Sequence, residues 1–145
     1  MKILVLVGKG GCGKTTAIRK MVSNLAQQKT AKFVCAKDKK RFEVNKDCII
    51  PLLYDGRLVA VSTYGDSRPD MTASYDNYKD YADVLVCASH PEGSKPYAVV
   101  TEWEQAGHQV VKIRMVTADD ASDVTAERLR NELADLIRQL KEEQL

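Results

Sequence analysis

Residues 8–16 read Gly8-Lys9-Gly10-Gly11-Cys12-Gly13-Lys14-Thr15-Thr16. Ahead of them stands an apolar run, Ile3-Leu4-Val5-Leu6-Val7. Behind them Ala17, Ile18, Met21, Val22, Leu25 and Ala26 recur at helical spacing. The stretch is therefore a strand, a glycine-rich turn and a helix, and Gly8, Gly13, Lys14 and Thr15 fill the fixed places of G-x-x-x-x-G-K-[ST]. Glycines let consecutive backbone N–H groups converge on phosphate oxygens. The helix that follows adds its own unpaired N–H groups and the positive end of its dipole. In such a loop Lys14 reaches the β- and γ-phosphates and the Thr15 hydroxyl ligates Mg²⁺.

A second pattern shares these letters. Gly8, Gly10 and Gly13 also spell G-x-G-x-x-G, the dinucleotide-binding turn, and Asp38 stands near the end of the second apolar run, where that fold wants an acid. The triplet Gly13-Lys14-Thr15 decides for the phosphate loop, because a dinucleotide site has no use for a lysine and a hydroxyl in the first helical turn.

Residues 3–26 resemble the opening of a P-loop NTPase. The fuller string from Lys9 to Thr16 is similar to the variant loop of the partitioning and septum-placement ATPases and the nitrogenase iron protein. That resemblance implies ATP and Mg²⁺ as ligands, phosphate contacts from Gly8 through Thr16, and a homodimer in which Lys9 crosses to a partner's nucleotide.

The chain of 145 residues is 44% hydrophobic and 29% charged with a net charge of +2, which fits one domain, residues 1–145, with its own core. No apolar run approaches the length of a membrane span and no signal-peptide layout precedes the first strand, so a cytoplasmic protein without a membrane partner is expected. The cysteines at 12, 35, 48 and 87 show no paired spacing and read as reduced, mostly buried thiols. Cys12 lies inside the loop, so its alkylation is expected to block binding.

A short strand is expected over 32–36. A basic stretch follows, with Lys37, Lys39, Lys40, Arg41 and Lys46 close together. It reads either as an anion surface for nucleic acid or a second phosphorylated substrate, or as a solvated loop; the interspersed Asp38, Glu43 and Asp47 favour the loop. Residues 47–64 read as a hairpin around Asp55-Gly56, with Pro51 placing its first arm at a sheet edge.

After the second arm comes Tyr64-Gly65-Asp66. Asp66 is the candidate second metal partner, since phosphate-loop enzymes place an acid after an apolar strand. Arg68 reads as a surface arginine. A helix is expected over 70–82; four of the six tyrosines fall between 64 and 81, either as packing or as a base-stacking wall. Asp83–Ala88 is a further buried strand with Ser89 and His90 at its carboxyl end. A helix opens at Pro96 and closes at Gly107 with Tyr97, Val100, Trp103 and Ala106 inward. A strand follows over 108–116, then Asp119-Asp120, and then a helix over 122–140 capped by Ser122, Asp123 or Thr125.

The expected order β-α-β-β-β-α-β-α-β-α gives a three-layer α/β/α sandwich with a mostly parallel sheet and an antiparallel edge hairpin. The expected function is Mg²⁺-dependent binding of ATP, or another nucleoside triphosphate, with hydrolysis or transfer of its γ-phosphate; Lys14, Lys9 and Asp66 are the candidate catalytic residues. A small nucleotide or metabolite kinase and a non-catalytic nucleotide-binding module are the alternatives. The absence of N-K-x-D tilts the base towards adenine.

Overall fold

The structure is a computed structural model that describes residues 1–44, 46–115 and 121–144, without the side chains of residues 121 and 122. Asp119, Asp120 and the Ser122 side chain therefore lie outside the described residues. In chain order the elements are β1 (Lys2–Val7), α1 (Lys14–Gln27), β2 (Ala31–Phe33), α2 (Ala36–Glu43), β3 (Ile49–Tyr54), β4 (Arg57–Ser62), α3 (Arg68–Tyr78), β5 (Val84–Ser89), α4 (Lys95–Gln105), β6 (Gln109–Arg114) and α5 (Ala121–Glu143). They form one six-stranded sheet in the order β2-β3-β4-β5-β1-β6. β4, β5, β1 and β6 run parallel, and β3 is antiparallel to both of its neighbours. Among the described residues no helix is long and apolar enough to cross a membrane.

The unbroken apolar run of β1 is buried along its whole length because helices cover both faces. Side chains alternate between those faces. Leu4 and Leu6 pack with Ile18, Met21 and Leu25 of α1 and Leu129, Leu133 and Ile137 of α5. Ile3 and Val5 pack with Met71 of α3 and Val100 and Trp103 of α4. The result is the expected α/β/α sandwich, in which each fully buried aliphatic side chain contributes about 1.5–3 kcal/mol.

The structure corrects several expectations. The basic stretch is a helix, α2, not a loop. It has one buried residue, Phe42, so its sequence carries no apolar periodicity. What holds it is charge and one anchor. Asp38 lies in its first turn, Lys40 and Arg41 in its last, each favourable to the helix dipole. Arg19 of α1 donates to the Phe42 carbonyl at 2.6 Å and to the Lys46 carbonyl, and its guanidinium lies 5.0 Å above the Phe42 ring. β2 is accordingly shorter than expected: Cys35 is the N-cap of α2 and is exposed, not a buried strand thiol.

Pro51 does not lie on an edge strand, because β2 pairs outside β3. The proline is tolerated for a local reason. Leu58 sends its carbonyl to the Asp83 amide and its own amide to the Asp83 carboxylate, away from its partner Leu53. By alternation Pro51, opposite Ala60, turns its missing N–H away from β4, towards ground that β2 does not reach: β2 ends at Phe33, opposite Leu52. Two smaller points also differ. Ala106 is exposed, and Thr125 is buried within α5 and not at its start.

Thiol reactivity tests this burial pattern. Burial pushes the Cys87 thiol up to about 12 and raises that of Cys48, whereas Cys35 is exposed and Cys12 half-buried. Colorimetric labelling of the native protein is expected to modify Cys35 and Cys12 and to spare the other two until denaturant is added. The unfolded Cys87 thiol loses its proton near 9.0 and the folded one only near 12, so stability falls as pH rises through that window. Fast native labelling of Cys87 would contradict the packing.

Candidate functional site

In a sheet of this kind a crevice opens where helices leaving adjacent strands go to opposite faces. α1 leaves β1 for one face and α4 leaves β5 for the other, so the crevice lies between the carboxyl ends of β1 and β5. Residues 8–13 fill it. The Gly8 amide donates to the Ser89 carbonyl at 3.0 Å, and the Met115 amide donates to the Val7 carbonyl at 2.8 Å, fixing the loop between β5 and β6. Gly11 and Gly13 sit at φ 76° and 93°, where a side chain is strained. Gly13 is the N-cap of α1 and supplies no capping side chain, which leaves the first-turn N–H groups facing the crevice. Gly8 is needed for space: a Cβ there would lie 2.6 Å from Cys12 Sγ and 3.3 Å from Met115 Cβ.

Lys14 is buried, and its Nζ sits within the curl of the loop, donating to the Gly8 carbonyl at 2.5 Å and the Lys9 carbonyl at 2.9 Å. Thr15 points across the sheet, its hydroxyl 3.4 Å from the Thr63 carbonyl at the end of β4. Thr16, Lys9 and Gly10 are exposed. Among the described residues the Lys9 ammonium has no bonding partner. Cys12 Sγ lies 4.0 Å from Met115 Sδ.

Asp66 reaches the same place from β4. Its carboxylate is 3.0 Å from His90 Nε2, and His90 Cε1 lies 3.3 Å from where a Gly10 Cβ would be. The loops after β4 and β5 thus meet beside the phosphate loop. Ser89 is buried and its hydroxyl donates to the His90 carbonyl, so it serves the backbone. Arg68 pairs with Glu102 of α4 at 2.5 Å, as a surface residue. Cys87 lies in the core under α3 and α4, away from His90's partners.

Sequence reasoning assigned no site role to Glu92, Arg114 and Met115. With Gly8–Cys12 and Pro91 they line a groove of about 540 Å³ over the loop. Glu92 pairs with Arg114, whose guanidinium holds the carboxyl below its usual range. Only the strand order reveals them: they stand at or just past the ends of the two strands that flank β1.

That order also removes the dinucleotide reading. β2 lies at the far edge of the sheet, four strands from β1, or roughly 20 Å at ~4.8 Å per strand. Asp38 belongs to α2, where it accepts from the Cys35 thiol and lies 4.0 Å from Arg41. It has no route to a ribose bound at β1.

No protein-family model matches the chain, and no curated protein matches it. Among solved structures, a crystal structure of molybdopterin-guanine biosynthesis protein B is 17% identical to it, aligns over 94% of this chain and 99% of that one, and gives a TM-score of 0.33. A likeness at that level carries no argument, and the narrower resemblance to the partitioning ATPases gains no support. What favours a phosphate-loop reading is the strand order, the two left-handed glycines and the place of Lys14.

Gly65 offers a direct test of how the Asp66 loop is held. A Cβ there would fall 2.6 Å from the Ala88 carbonyl oxygen, a backbone atom that cannot step aside. Gly65→Ala is expected to cost about 1–3 kcal/mol in a urea titration, as overpacking does. An unchanged midpoint would mean that the two loops are not in contact.

Proposed function

We propose that the loop Gly8–Thr16 binds a nucleoside triphosphate, ATP or another, and that its γ-phosphate is cleaved or transferred there. What carries the reading is the position of Lys14. A buried ammonium held by two carbonyls of its own loop and the neutral Cys12 sulfur 4.0 Å away, with no carboxylate partner among the described residues and at the positive end of α1, is poised for polyphosphate oxygens. Backbone N–H groups of Gly10, Gly11, Gly13 and Lys14 cradle phosphate, and Lys14 offsets the charge that develops on the transferred group.

Oxygen donors for Mg²⁺ are present in the Thr15 hydroxyl and the Asp66 carboxylate, which suit a hard cation. Bound there, the ion would neutralise charge on the β- and γ-oxygens. His90 holds the Asp66 carboxylate beside Gly10 and so sets its direction. Lys9, exposed and unpaired among the described residues, is free to meet the nucleotide of a second copy, the arrangement that a homodimer would use.

Lys14→Ala separates this function from mere stability, since Lys14 bonds only to its own loop. Titration with fluorescent ATP and GTP analogues is expected to show binding by the unaltered protein that weakens at least about thirtyfold in the variant, the equivalent of ~2 kcal/mol for a lost buried charge contact. γ-Labelled triphosphate should lose its label only with the intact lysine. Equal binding by both proteins would remove the proposal.

A further inference from the structure

Beyond the Thr15–Thr63 contact lies a second groove, of about 470 Å³, lined by Arg41, Ile49, Tyr64, Asn77, Tyr78 and Tyr81. It joins two features that the phosphate loop leaves unexplained, the tyrosine cluster and the basic helix. β4 runs parallel to β1 and β3 runs opposite, so the end of β4 and the start of β3 share the phosphate loop's edge of the sheet. β4 is two strands from β1, about 10 Å. Thr63, whose carbonyl accepts from Thr15, directly precedes Tyr64. The groove therefore begins one residue beyond the Thr15–Thr63 contact.

The tyrosines divide by role. Tyr75 belongs to the core, stacked on Trp103 at 5.5 Å and bonded to His108. Tyr78 also packs in part against that core, whereas Tyr64 and Tyr81 have no ring partner among the described residues, and Tyr81 is 73% exposed. Burial raises the Tyr78 phenol, which keeps its hydroxyl a donor at neutral pH. Arg41 is half exposed, and its acid, Asp38, stands at 4.0 Å, so guanidinium donors remain available. Asn77 adds an exposed amide with both donor and acceptor.

The Tyr64 and Tyr81 rings, a guanidinium and an amide around one groove match a flat heteroaromatic ring that carries an anion. The volume lies within the usual range for small-molecule sites. We propose that this groove binds a nucleoside monophosphate as phosphoryl acceptor, which makes the protein a nucleotide kinase. The acceptor role depends on the triphosphate reading above; the binding itself does not. In the transfer, an ionised phosphate oxygen of the acceptor attacks the γ-phosphorus. The bond from that phosphorus to the β–γ bridging oxygen breaks, and its electron pair leaves with the nucleoside diphosphate. A doubly ionised monophosphate has no proton to lose, so the step balances without a base.

Calorimetric titration with AMP and GMP tests the groove, using the unaltered chain and the Lys14→Ala, Arg41→Ala and Tyr81→Ala variants. Arg41 and Tyr81 are exposed, so melting temperatures should match. At least one monophosphate is expected to bind the unaltered chain and Lys14→Ala alike, and about tenfold or more weakly when Tyr81 or Arg41 is removed, the scale of one lost stacking ring. No binding, binding lost with Lys14, or binding indifferent to both groove variants would overturn the proposal. A parallel triphosphate titration keeps the two claims apart. A monophosphate that binds while no triphosphate does would leave the groove a binding site and end its role as acceptor. Mixing both nucleotides should yield two diphosphates with the unaltered chain and none with Lys14→Ala.

Discussion

β1 is held on both sides by parallel neighbours and on both faces by helices. Its hydrogen-bonded partners, β5 and β6, fix where the chain must emerge, and full burial leaves Val7 no alternative register. A one-residue slip would turn Leu4 and Leu6 from the α1–α5 side to the α3–α4 side. The glycine loop is therefore delivered to one point on the sheet edge, and the first turn of α1 is aimed at it. The Gly8–Ser89 and Val7–Met115 backbone bonds extend that grip one residue past the strand.

From this placement the chemistry of the edge follows. Loops after β4, β5 and β6 converge on the phosphate loop because their strands run parallel to β1. They bring Asp66 with His90 from one side and Glu92 with Arg114 from the other. The acids in this ring are partnered by a histidine or an arginine, while Lys14 meets two carbonyls and the Cys12 sulfur and no acid among the described residues. The local surplus of positive charge and N–H groups suits a polyanion.

Much of this was legible in the chain. β1, α1, the hairpin at Asp55-Gly56, α3, β5, α4, β6 and α5 follow from apolar period and turn residues. α2 was not, because a helix with a single buried side chain has no period to detect; its stability comes from Arg19, 17 or more residues away in sequence and visible only in three dimensions. Pro51 misled for a related reason. The rule that proline avoids paired strands concerns one N–H, and here a three-residue β2 ends before it would need that N–H. At the site, the loop's turn and the start of α1 were readable from its own letters because the pattern is local. The pairings of Asp66 with His90 and of Glu92 with Arg114 depend on strand order, which no single stretch encodes.

The central claim is that a polyphosphate lies against the backbone of residues 10–16. Amide-resolved NMR of the full chain, titrated with a non-hydrolysable triphosphate and Mg²⁺, tests it directly. The account predicts large shifts at Gly10, Gly11, Gly13, Lys14 and Thr15, with smaller ones at Asp66 and His90. Shifts confined to other parts of the surface, with these amides unmoved, would contradict it.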